Sequence, residues 1–134
     1  LSLQLYLQPL IVSGGYDDLK ELRAPRTYEF DVYGGHRGTI QPDLSGGYIV
    51  DPDAGGPAPS FPVENPDFNF RSLRGNAVLR WEYRPGSALF LVWQQSREGA
   101  EPFGNFEFSR DWHGLFRIEP ENVVAIKATY WLPL

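Results

Sequence analysis

Four stretches of this chain alternate side chains with a period of two, the spacing an extended strand imposes and a helix does not. Residues 1–8 are the strictest case, with Leu1, Leu3, Leu5 and Leu7 on one side and Ser2, Gln4, Tyr6 and Gln8 on the other. The other runs are 76–84, 87–96 and 122–132. Each is roughly 8 to 11 residues long, close to the ~9 to 11 that a tilted strand needs to cross a bilayer and longer than most strands of water-soluble sheets. With 14 Gly and 12 Pro in 134 residues, the chain is interrupted too often for long helices. Aromatic residues make up 15% of it and sit mostly inside the alternating runs, where strand surfaces favour them.

The clearest unit is a hairpin over 76–96, joined by Arg84-Pro85-Gly86-Ser87. Pro presets φ at the first central position of a type II turn, and Gly accepts the positive φ of the second. If Tyr83 sits opposite Ala88, then Ala77, Leu79, Trp81 and Tyr83 share an apolar face with Ala88, Phe90, Val92 and Gln94, because paired residues point the same way. The reverse carries Arg80 and Glu82. A one-residue bulge would exchange these assignments. In the last run Val124, Ile126, Ala128, Tyr130 and Leu132 fall on one side, Lys127 and Thr129 on the other.

These faces predict an all-β fold of antiparallel meanders and hairpins, a segment of an outer-membrane-type β-barrel with long loops. Leu3, Leu5, Leu79, Trp81, Tyr83, Phe90, Val92, Ile126 and Tyr130 are the expected lipid-facing residues, and Arg80, Glu82 and Lys127 the expected lumenal polar ones. Barrels of this kind keep short turns periplasmic and long loops outside. With the Pro85-Gly86 turn periplasmic, 97–121 is an external connection, 14–75 is an external excursion containing short strands (Tyr28-Phe30-Val32 and Tyr48-Ile49-Val50), and the C-terminus is periplasmic. The chain, expected to form one β domain over 1–134, opens at Leu1 within an alternating run. It is read as the C-terminal part of a longer protein. Four strands fall short of the about eight in the smallest spanning barrels, so either the middle region contributes more strands, neighbouring chains complete the wall, or, as expected here, the rest of the same barrel lies in the remainder of the longer protein.

A net charge of -5 argues against nucleic acid as a partner, since a phosphate-binding face concentrates Lys and Arg. Without Cys there is neither a disulfide framework nor a thiolate metal site. Asp51 and Asp53 stand before Gly55-Gly56 like the start of a calcium loop, but the later Glu that such a loop requires is missing, and a solvated turn is the expected reading. Asp111, His113, Glu119 and Glu121 lie close in sequence without a spacing that fixes acid–base geometry. His36, in Gly34-Gly35-His36-Arg37-Gly38, reads as turn chemistry, and Asp17, Asp18, Lys20 and Glu21 as a solvated loop. No catalytic residue, cofactor or metal site is expected.

The stretch FRSLRGNAVLRWEY (70–83), the following RPGSALFLVWQQSR and the closing NVVAIKATYWL resemble the C-terminal end of a family of large bacterial proteins. These carry an N-terminal carbohydrate-binding, family-9-like domain and a C-terminal domain of unknown function thought to be an outer-membrane barrel. The opening SLQLYLQPL and DLKEL fit the same family. The resemblance implies bacterial outer-membrane localisation and outer-membrane lipid as a partner. It does not carry sugar binding onto this chain, which lacks the N-terminal domain. The last strand also resembles the signal read by barrel-assembly machinery, with Lys127, Leu132 and Leu134 in place, Thr129 where Gly is usual and a final Leu instead of Phe.

Two other readings compete with a non-catalytic barrel segment. A soluble β-sandwich carbohydrate-binding module would bury the same apolar faces against each other. A glycan-active enzyme would need two carboxylates converging at a defined separation.

Overall fold

A computed structural model describes residues 1–132. The chain is mostly antiparallel β-structure, with nine strands and one helix among the described residues. They group into two compact units. The first comprises Leu1–Ser13, Asn69–Glu101 and the residues from Asn105 on; the second comprises Gly14–Phe68 with Pro102–Gly104.

The first unit is built on β1 (Ser2–Gly14), β7 (Phe68–Arg84), β8 (Ser87–Glu101) and β9 (Glu121–Thr129), which form one four-stranded sheet in the order β1-β7-β8-β9. β7 and β8 are antiparallel, as are β8 and β9. The expected turn joins β7 to β8, with Gly86 at φ 77° and Arg84 opposite Ser87. The two hairpin strands run 17 and 15 residues, well past the 76–96 expected of them.

The register differs from the expected one by a single residue. Tyr83 is bulged out, so Glu82, not Tyr83, lies opposite Ala88. Every residue of β8 therefore changes sides relative to the simple pairing. Phe90 lies opposite Arg80 and Val92 opposite Val78, so neither shares a face with Leu79 and Trp81. Two contacts hold the bulge. The Tyr83 hydroxyl donates to the Thr129 carbonyl at 3.1 Å, and its ring packs edge-on against Trp81 with centroids 6.1 Å apart.

The connection expected over 97–121 is also more ordered than its sequence suggests. β8 continues to Glu101, and α1 (Phe108–Arg117) follows. Glu107 caps the helix by accepting from the Arg110 amide, and Leu115 and Asp111 face inward. Burying Leu115 contributes about 1.5–3 kcal/mol. α1 and the residue that ends it cover the far end of the sheet over Asn69, Arg71 and Gly99, where Gly114 leaves room for the Arg71 guanidinium that a Cβ would displace.

In the second unit β2 (Lys20–Leu22) pairs with β3 (Phe30–Val32). β4 (Thr39–Pro42), β5 (Tyr48–Asp51) and β6 (Phe61–Val63) form an antiparallel meander. The guanidinium of Arg23 donates twice to Asp31, at 2.9 and 2.7 Å, and holds that carboxyl below its ordinary pKa. Glu21 accepts from both Tyr33 and Arg37, and its carboxylate raises the Tyr33 hydroxyl pKa. Val50 is the fully buried apolar residue of this unit.

Candidate functional site

The four-stranded sheet has two chemically distinct faces, and the register assigns residues to each. One face stacks three cross-strand rows: Ala77, Trp93 and Val124; Leu79, Leu91 and Ile126; Trp81, Leu89 and Ala128. β1 adds Leu3, Leu5 and Leu7, since Leu7 reaches the space a Cβ on Gly75 would take, and alternation carries the others to the same side. No charged residue lies in this band, yet it is uncovered. Ile126 is 71% exposed, Leu3 66% and Trp81 52%.

Aromatic residues with polar tips mark both ends of the band. At the turn end are Trp81, Tyr83 and Tyr130; the Tyr130 hydroxyl accepts from Arg84 at 2.7 Å, and the Arg84 guanidinium lies 4.9 Å from the Tyr130 ring centre. At the other end Trp93 donates from its indole nitrogen to the Asn122 side chain at 3.0 Å, and Gln95 donates to the same oxygen. An aromatic ring with one polar tip suits a boundary between apolar and wet surroundings.

The opposite face is polar for most of its length. Arg80, Phe90 and Lys127 are direct neighbours across β7, β8 and β9. Both cations stand 6.0 Å from the Phe90 ring centre, and Arg80 also pairs with Glu82 at 3.2 Å. The sequence-identified polar residues Arg80, Glu82 and Lys127 are thus brought together, around a phenylalanine that sequence reasoning put on the other side. Val78, Val92 and Ala125 form one apolar row beyond them. Next comes a cleft of about 410 Å³ lined by Tyr6, Gln8, Arg74, Asn76, Gln94 and Glu121 among others.

The remaining sequence-singled residues do not converge. Asp51 accepts from the Asp53 and Gly55 amides, and Asp53 from the Gly56 and Ala58 amides, so both carboxylates serve their own turn. Asp111 points into the sheet and accepts from Asn69, from Arg110 and from the Glu107 amide, whereas His113 stays exposed, 2.6 Å from the Ser109 carbonyl. The guanidinium of Arg110 is the largest influence holding Asp111 down at a pKa of about 2. Glu119 and Glu121 line a separate cleft with Arg74 and Arg97. Among the described residues no three His, Asp or Glu side chains gather as metal ligands, and no helix is long and apolar enough to cross a membrane. Of the terminal assembly-signal residues, Leu134 lies outside the described residues.

No curated protein and no solved structure matches this chain. A family model does, over residues 52–134, which takes in β6 to β9, α1 and both faces of the hairpin. That is more than half of the sequence, and the chain belongs to the family described as Domain of unknown function (DUF5916).

Proposed function

We propose that the β1-β7-β8-β9 sheet is part of the wall of a bacterial outer-membrane β-barrel, structural or transport-type in role and without catalytic activity of its own. The observation that carries this reading is the division of one sheet into an uncovered, charge-free apolar band and a polar reverse bearing Arg80, Glu82 and Lys127. In water, such a band loses about 25 cal/mol for each Å² left exposed relative to burial; in hydrocarbon it is matched to its surroundings. β9, at 9 residues, has the length a tilted spanning strand needs, about 9 to 11. The excess length of β7 and β8 lies beyond the band, where Asn69, Arg71, Arg97, Glu98 and Glu101 replace apolar residues.

In this reading the Pro85-Gly86 turn is periplasmic, α1 and the 14–67 segment are external, and the Arg80–Phe90–Lys127 row faces the lumen. Phe90 and Val92 join the lumenal side with it; Leu3, Leu5, Leu79, Trp81 and Ile126 meet lipid, and Tyr83 and Tyr130 lie at an interface. The partners are outer-membrane lipid and the strands that complete the wall, with assembly machinery reading the terminal strand.

Because the chain has no Cys, single cysteines report each face cleanly. In the membrane-embedded full-length protein, Lys127→Cys should react with a water-soluble maleimide and Ile126→Cys should not. Protease on intact cells should cut within 51–60. Equal labelling at the two adjacent positions, or a folded membrane-bound protein left uncut, would count against the reading.

A further inference from the structure

α1 presents two different flanks beside its buried stripe. With 3.6 residues per turn, Asp111 and Leu115 face the sheet, while Phe108, Trp112 and Phe116 line one flank and Arg110 and Arg117 the other. The three aromatic residues form a continuous row. Phe108 and Trp112 stack with ring centres 5.9 Å apart, Trp112 and Phe116 meet edge-on at 5.5 Å, and all three remain exposed. Phe116 lies over Arg97, 5.9 Å from its guanidinium, and Arg97 sits opposite Leu73, on the side of the helix nearer the apolar band. The arginine flank opens instead on a cleft of about 290 Å³ lined by Arg71, Glu101, Arg110, Gly114, Arg117 and Ile118.

The charge in that cleft is unbalanced. Asp111 takes Arg110, and Glu101 takes Arg71 at 3.4 Å. No carboxylate of the described residues pairs with Arg117. Arg71 is buried and leaves its Nε without an acceptor. Three arginines line this cleft with a single carboxylate among them, a lining suited to an anion with several acceptor oxygens, and guanidinium geometry matches phosphate.

We infer that α1 is an interfacial helix whose aromatic flank enters the apolar layer and whose arginine flank, with Arg71, binds the phosphate of a lipid headgroup. This rests on the membrane-wall reading. The occupant is a lipid because the aromatic flank reaches Arg97, toward the apolar band, while the guanidinium cleft is lined by Glu101, farther along the strands from it. That order, hydrocarbon contact then cationic donors, is the order of layers at a bilayer surface.

The test uses the full-length protein in vesicles of phosphatidylcholine alone, phosphatidylcholine with phosphatidic acid, and phosphatidylcholine with oleate as an anion lacking phosphate. Flotation and amide hydrogen exchange over 108–117 are read together. Phosphatidic acid should slow exchange about tenfold, the equivalent of one hydrogen bond to a charged group. Arg117→Gln should abolish the slowing while keeping the wild-type behaviour in phosphatidylcholine; Arg26→Gln, an equal charge change at an exposed loop position, should retain it. Equal protection by oleate would mean charge alone and would overturn phosphate recognition. Equal protection by inorganic phosphate added to phosphatidylcholine vesicles would make it a solute site. Flotation without any lipid dependence overturns the headgroup site and leaves the wall reading standing, whereas failure to float overturns both.

Discussion

Adjacent residues on β9 lie on opposite faces of the sheet, and a single charge should report what each face meets. Ile126 lies in the middle row of the apolar band, beside Leu91 and Leu79. Arginine at a lipid-facing position near the bilayer midplane costs about 2–4 kcal/mol. Ile126→Arg should therefore lower the stability of the vesicle-folded protein by that order, measured by urea unfolding. Val92→Arg, on the reverse face beside Val78 and Ala125, should cost far less; equal costs would contradict the face assignment. Asp111 makes the second prediction at this scale. Its carboxyl is held at about 2 against an ordinary 3.8, so its stabilisation of α1 is complete above about pH 4 and is lost as pH falls through that range toward 2. Amide exchange over 108–117 should accelerate across that window, and Asp111→Asn should remove the pH response while loosening α1 at neutral pH. Much of this was legible from residue types alone. Arg80, Glu82 and Lys127 interrupt apolar runs, and their common face follows from alternation once the register is known. The side taken by Phe90 and Val92 was not legible, because a bulge adds one residue without altering composition, and the Tyr83 contacts that stabilise it reach Thr129, 46 positions away.

At the scale of elements, the hairpin turn and the last strand followed from local chemistry, and α1 did not. Pro85 and Gly86 favour a type II turn by local chemistry, and Gly86 adopts the required positive φ. A side chain at that position should cost about 1 kcal/mol or more. Gly86→Val also meets the Trp131 side chain, which lies 3.0 Å from the position of a Cβ. The expected result is a lower urea midpoint with the exchange pattern of α1 unchanged, since the helix packs at the other end of β7. Loss of α1 protection in this variant would mean that the turn and the helix fold as one unit. The helix itself is poorly announced. Phe, Trp, His, Ser and Gly make up most of Phe108–Arg117 and are middling or weak helix formers. What holds it is tertiary: the Asp111 hydrogen bonds, buried Leu115, and Arg97 donating to the Phe116 carbonyl at 2.8 Å. The usable signal was the spacing of Phe108, Trp112 and Phe116 at i, i+4 and i+8, together with Asp111 and Leu115 four apart.

The whole molecule is distinguished by how little apolar surface its strands enclose. Buried hydrophobic residues among those described are Val50, Leu73, Ala88 and Leu115, while the leucines of β1 and Val123, Val124 and Ile126 of β9 are exposed. β1 and β9 are also the two edges of the sheet, so their outer backbone groups have no ladder partner among the described residues. A long apolar edge strand is a template for pairing with any similar strand. In a barrel the neighbouring strands satisfy it; in water the same edge drives association. The proposed membrane wall and a soluble sandwich module differ on this point, since a sandwich would need these faces covered by one another. The chain in aqueous buffer should form β-rich aggregates that bind thioflavin T, and detergent micelles present during refolding should suppress them. Leu5→Lys combined with Ile126→Lys should have opposite effects in the two media, reducing aggregation in water because like charges blunt the edges, and reducing insertion into vesicles because those charges fall in the apolar band. A wild-type chain that stays monomeric in buffer and melts cooperatively would instead place the apolar faces inside a soluble fold, and a double variant that inserts as well as the wild type would leave the band without its assigned role.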